Sequence, residues 1–143
     1  MRSERGSALV EVTWLSLLLL VPLLYVVLAV FEVQRSAFGV SAAARAAGRA
    51  YATAPDEGQG LARAEVAARL AMRDQGVDDD RLELRIECRP DPLNCLAPGA
   101  VIEVDLRFPV ALPLMPSALG GDTPSFRVST HHRVPYGTFR EDR

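Results

Sequence analysis

The sequence has few of the residues that most often perform catalysis. It contains only two histidines and two cysteines, and it lacks both a phosphate-binding loop of the Gly-x-x-x-x-Gly-Lys type and a Gly-x-Ser-x-Gly turn. These absences argue against a nucleotide-hydrolysing enzyme and against a serine hydrolase. The cysteines are not spaced as Cys-x-x-Cys, which argues against redox catalysis. We therefore predict that the chain is not an enzyme and uses no cofactor and no small-molecule substrate.

The histidines and the acidic residues do not predict a metal site. His131 and His132 are adjacent in a segment of alternating polarity. Neighbouring residues of a strand point to opposite faces, so we expect one outward and one partly buried histidine that cannot easily share a metal ion. The three aspartates at 78–80 lack the spacing and the glycine of an EF-hand calcium loop, and we interpret them as a solvated turn.

Lysine is absent, and all 16 basic residues are arginine. The 18 acidic residues outnumber them, which gives a formal net charge of −2. A protein that binds nucleic acid would need a clustered basic face. We therefore do not expect nucleic acid as a partner.

Charge is also absent from one long segment near the start of the chain. No residue from 12 to 31 is charged, and about 20 such residues can cross a bilayer as a helix. The apolar part of an ordinary secretory signal is shorter, about 7–15 residues. Glu11 lies at the edge of this segment, and a carboxylate in an otherwise apolar segment indicates a functional role. The sequence predicts a membrane-spanning helix that begins beside a functional carboxylate.

The residues before this segment form a short basic leader. The leader carries Arg2 and Arg5 and ends in Gly6, and Glu11 is the fifth residue after that glycine. This arrangement resembles the class III signal peptide of type IV pilins and pseudopilins, which a prepilin peptidase cuts after the glycine. The resemblance implies a cut between Gly6 and Ser7. It also implies that Glu11 pairs with the new amino terminus of its own chain or of a neighbouring subunit.

Helical periodicity continues beyond the apolar segment and predicts one long helix over about 7–53, with Pro22 inside it. Small residues in the second half of this helix, Ala43, Ala47 and Gly48, allow another element to approach closely. The sequence leaves open whether that element belongs to the chain's own domain or to a neighbouring subunit.

The remainder predicts a small α+β domain. A break rich in proline and glycine at 55–60 precedes a second helix at about 61–75. Three segments then alternate apolar and charged residues, which is typical of half-buried strands; they are 82–89, 102–108 and 126–134. We predict a three-stranded antiparallel sheet, with a long loop at 113–124, covered by the second helix and by the lower half of the long helix.

The chain thus divides into a leader (1–6), a transmembrane and assembly helix (7–54) and an extracytoplasmic domain (55–143). This layout is similar to the TadE/TadG-like pseudopilins of tight-adherence (Tad, Flp-type) pilus systems. The major pilins of those systems are much shorter and often carry tyrosine where this chain has Val12. The resemblance therefore implies a minor pseudopilin in pilus assembly or tip initiation. The implied partners are the prepilin peptidase, other pilins, the pilus assembly platform and the membrane.

Cys88 and Cys95 lie close together in the part of the chain that we place outside the cytoplasm. An even pair of cysteines in an exported segment is typical of a disulfide. The leader resemblance and this pair put the C-terminal domain outside the cytoplasmic membrane. The arginines favour the reverse orientation, because two precede the apolar segment and three follow it closely.

A second interpretation of the apolar segment stays open. The chain could be an uncleaved single-pass anchor that presents an extracytoplasmic protein-binding module, with Glu11 merely at the membrane interface. The two interpretations differ in the first residue of the membrane protein, which is Ser7 in the first and Met1 in the second.

Overall fold

The computed structural model describes residues 5–78, 80–111 and 125–139, with side chains from residue 9 onwards. Two helices precede three strands: α1 (Arg5–Ala52), α2 (Glu57–Asp74), β1 (Glu83–Arg89), β2 (Val101–Ala111) and β3 (Ser125–Pro135). The predicted α+β layout is confirmed. The loop predicted at 113–124 lies outside the described residues.

Helix α1 is a single helix of 48 residues that contains Pro22. At 1.5 Å per residue it is about 70 Å long, much longer than the domain needs. Its bounds agree with the prediction to within two residues. Its two halves lie in different surroundings, because its fully buried residues begin only at Ser36, after a few partly buried positions such as Tyr25 and Val33.

Helix α2 begins earlier than the sequence predicts. Asp56 caps it by accepting a hydrogen bond from the backbone N–H of Gln59 at 2.8 Å, so that Gly58 and Gly60 lie inside the helix. A Cβ atom on Gly60 would lie 3.1 Å from the ring of Tyr51. The predicted start at 61 is wrong by four residues, because Gly60 permits close packing of α2 on α1 instead of forming a loop.

The three strands form one antiparallel sheet in the order β1-β2-β3. Its register places Ile86, Val104 and His132 side by side on the face that turns towards α1. The second half of α1 contacts both β2 and β3, and α2 packs along α1. The fully buried side chains of this arrangement include Val40, Ala43, Ala44, Ala47, Ala64, Ala68, Met72, Leu96, Ile102, Val104 and Leu106.

The small residues of α1 face the chain's own sheet and second helix. Ala43 and Ala47 are fully buried within the domain. A Cβ atom on Gly48 would lie 2.6 Å from Cγ2 of Val134 and 3.4 Å from Cγ2 of Val104. Of the two alternatives that the sequence left open, the structure shows packing within the domain for these three residues.

We predict that Gly48→Ala destabilises the domain although alanine favours helices. Alanine gains about 1 kcal/mol of helix propensity over glycine, whereas forcing an extra methyl group into a packed interface costs about 1–3 kcal/mol. At 2.6 Å the contact with the stiff side chain of Val134 puts the cost at the upper end. Thermal unfolding of the full chain in detergent measures the effect.

Gly58→Ala provides the matched control for this substitution. Gly58 is also helical but exposed, and its nearest neighbour outside the helix backbone is the Asp56 carboxylate at 3.4 Å. This variant should be unchanged or slightly more stable than the wild type. Equal stability of the two variants would show that α1 does not approach the sheet as closely as described.

Candidate functional site

The first half of α1 projects from the domain with its apolar side chains uncovered. We call residues 9–31 the exposed apolar segment. Except for the half-buried Tyr25, its large apolar side chains are between 41% and 72% exposed, and no part of the domain covers its central stretch. By length and composition it is the helix that could cross a membrane among the described residues. Because so much apolar surface is costly in water, this segment favours an apolar environment.

The apolar segment ends where charged residues begin and the domain starts. Glu32 and Arg35 form an ion pair of 2.8 Å on the helix surface. Ser36, one residue later, is 1% exposed and is the first buried residue of the packed half. The boundary between apolar surface and domain thus occupies about one helical turn.

The residues implied in processing lie at the opposite end of α1. Gly6 and Ser7 belong to its first turns, and Glu11 lies one turn beyond Ser7. The Glu11 side chain is exposed and has no hydrogen bond or ion pair within the described residues. Because helical side chains tilt towards the amino end of the helix, the Glu11 carboxylate would be within reach of an amino terminus at Ser7, one turn earlier.

The predicted disulfide is confirmed, and it lies in the domain, far from the processing residues at the start of α1. Cys88 and Cys95 are bonded, with their Cα atoms 5.2 Å apart, and they close the turn that joins β1 to β2. The backbone N–H of Cys95 donates a hydrogen bond to the Glu57 carboxylate, which ties this turn to the start of α2. Burial, reinforced by the nearby Glu57 charge, raises the pKa of Tyr51 to about 12. These contacts stabilise the domain and lie far from Glu11 along α1.

The outer face of the sheet carries cross-strand ion pairs. Glu103 on the central strand is buried and lies 3.0 Å from Arg133 on β3 and 3.4 Å from Arg89 on β1. Asp105 contacts His131 at 3.1 Å in the neighbouring row. The sequence signalled alternating charges but not the burial of Glu103, which follows from the register of both neighbouring strands. No group of three or more potential metal ligands occurs among the described residues.

The two histidines lie on opposite faces of β3, as predicted. His131 is exposed on the outer face, and His132 is partly buried beside α1. Burial lowers the pKa of His132, and the charges of Arg45, Arg49 and His131 lower it further. In the folded protein His132 is therefore harder to protonate than a free histidine.

This lowered pKa predicts a loss of stability in mild acid. Below pH 6.5 the unfolded chain binds a proton at His132 more readily than the folded chain does. The stability that the neutral side chain contributes is thus present above pH 6.5 and declines as the pH falls. We expect the unfolding temperature of His132→Gln to fall less than that of the wild type between neutral and mildly acidic pH. If the unfolding temperatures of the variant and the wild type fell by the same amount, His132 would not be the cause of the loss of stability.

An apolar groove lies between α1 and the first residues of β3. It has a volume of about 420 Å³ and is lined by Tyr25, Val26, Ala29, Val30, Val33, Gln34 and Phe126. Phe126 shares a sheet face with Val128, as its alternation predicts, but it remains 59% exposed because it lies beyond the buried half of α1. The sequence could not reveal this groove, since it depends on where β3 lies along the helix.

Comparisons with protein families, with characterised proteins and with solved structures found no match to this chain. Over the residues that it describes, the structure defines an α+β protein with one helix long and apolar enough to span a membrane and with one disulfide-closed turn.

Proposed function

We propose that this chain is a minor pseudopilin of a Tad/Flp-type pilus system. It is held in the cytoplasmic membrane by α1, is cut between Gly6 and Ser7 by a prepilin peptidase, and takes part in pilus assembly or tip initiation. The observation that carries the proposal is the exposed apolar segment, which extends beyond the domain and has Glu11 near its start. The leader and the spacing from Gly6 to Glu11 support the same interpretation.

The exposed apolar segment suits two successive environments. Burial of one large apolar side chain stabilises a protein by about 1.5–3 kcal/mol, so the many exposed side chains of residues 9–31 strongly favour an apolar environment. Lipid provides it before assembly, and the corresponding helices of other pilins provide it within a filament. The domain keeps its own core in both states because that core uses only the second half of α1.

Glu11 supplies a polar interaction in this otherwise apolar surface. After the cut, the Ser7 amino group becomes a cation one helical turn away, and it pairs with the Glu11 carboxylate of its own chain or of a neighbour. Both charges would be costly if left unpaired among apolar side chains. Pairing between subunits therefore favours one register of helix packing over others.

The proposal is tested by isolating pili from cells that produce the full chain with a C-terminal tag. After the pili are sheared from the surface and pelleted, the tagged chain should be present in the pilus fraction and depleted when the major pilin is deleted. An uncleaved anchor that presents a binding module would remain in the membrane fraction in both strains. Confinement to the membrane fraction of cells that make pili would overturn the proposal.

A further inference from the structure

Strand β3 begins beside the end of the apolar segment and runs along α1 in the same direction as the helix, away from that segment. At its end, Val134 contacts the helix near Gly48, and at its beginning Phe126 reaches the groove beside residues 25–34. The β2–β3 end of the sheet, where Ala111 pairs with Ser125, therefore points towards the membrane side of the helix. The opposite end of the sheet, with the disulfide-closed turn, points away from it.

The groove lies at the depth where α1 would leave the lipid. The uncharged stretch ends at residue 31, and the groove is lined by α1 residues on both sides of this end, from 25 to 34. If residues 12–31 span the hydrocarbon core, which is about 30 Å thick, most of the groove lies just inside the leaflet beside the domain. Phe126 is then held at the lipid surface by the fold of the domain.

We infer that phospholipid acyl chains fill this groove, so that the domain rests on the membrane through Phe126 as well as through α1. The inference rests on the membrane span of the proposed function. Lipid is favoured as the occupant because the groove is continuous with the exposed apolar segment and is lined almost entirely by apolar side chains. Arg127, exposed on the next position of β3 and without an acidic partner in the described part of the chain, lies where phosphate headgroups would be.

Tryptophan fluorescence in vesicles tests this contact, because the chain has a single tryptophan, Trp14, within the exposed apolar segment. The full chain is reconstituted in phosphatidylcholine vesicles whose acyl chains are brominated close to the glycerol, which quenches tryptophan at that depth. In a Trp14→Phe background, Phe126→Trp reports on the groove. Phe139→Trp is the matched control, since Phe139 is fully exposed and follows the far end of β3.

We expect quenching of Phe126→Trp comparable with that of Trp14 in the wild-type chain, and no quenching of Phe139→Trp. Quenching of Trp14 without quenching of Phe126→Trp would overturn the lipid contact and leave the membrane span intact. A blue-shifted but unquenched Phe126→Trp would also overturn it, because protein would then cover the groove. Absence of quenching at Trp14 would contradict the membrane span, and with it the proposed function. Phe126 is largely exposed, so the substitution should leave the fold intact, and unfolding curves check this.

Discussion

Replacement of Glu11 by alanine is expected to leave membrane insertion unchanged and to deplete the chain from sheared pili by about tenfold or more. Insertion should be unaffected because alanine removes a charge from the edge of an apolar segment. Incorporation should fail because the Ser7 ammonium group is left without its partner between packed helices. Breaking a buried ion pair costs about 3–5 kcal/mol, and 1.4 kcal/mol already corresponds to a factor of ten.

The matched control is Thr13→Val, which changes another polar residue of the same stretch. The Thr13 hydroxyl donates only to the Leu9 carbonyl oxygen of its own helix, at 2.8 Å, so its loss should not affect contacts between subunits. Membrane fractionation and quantification of the pilus pellet are measured for both variants. Normal incorporation of Glu11→Ala would refute the pairing role.

Removal of the disulfide is expected to destabilise the domain by about 2–3 kcal/mol. The bond between Cys88 and Cys95 closes a short loop with a sequence separation of seven. By chain-entropy reasoning, opening such a loop increases the freedom of the unfolded chain and costs about this much. The double variant Cys88→Ala, Cys95→Ala is compared with the wild type by denaturant unfolding in detergent.

Reduced wild-type protein serves as the control for the cysteine substitutions. If the bond itself is responsible, reduction should lower the stability of the wild type almost to that of the double variant and leave the variant unchanged. A wild type that is insensitive to reductant would show that the disulfide does not contribute to the free energy of unfolding.

The helices and strands were predictable where the spacing of apolar residues alone determines the secondary structure. The period of α1 and the alternation of the three strands are local properties, and both agree with the structure. The start of α2 was not predictable in the same way. Gly60 lies in a helix because its missing side chain accommodates Tyr51, and this contact joins residues of two different elements.

In the candidate site, too, local features were predictable from the sequence and contacts between distant elements were not. Ser7 and Glu11 are close in sequence, so the helical prediction alone placed them on the first turns of one helix, and the structure extends that helix to include Gly6. The burial of Glu103 between two arginines and the position of Phe126 beside α1 depend on strand register and on how the sheet lies against the helix. Those arrangements are set by packing between distant parts of the chain, which a single sequence does not specify.

The proposed role depends most directly on the removal of the leader. Intact-mass analysis of the protein extracted from the membranes of cells that contain the prepilin peptidase identifies its first residue. We predict a chain that begins at Ser7, with or without a methyl group on its new amino terminus. A chain that begins at Met1 in the same cells would contradict the account and would favour an uncleaved membrane anchor.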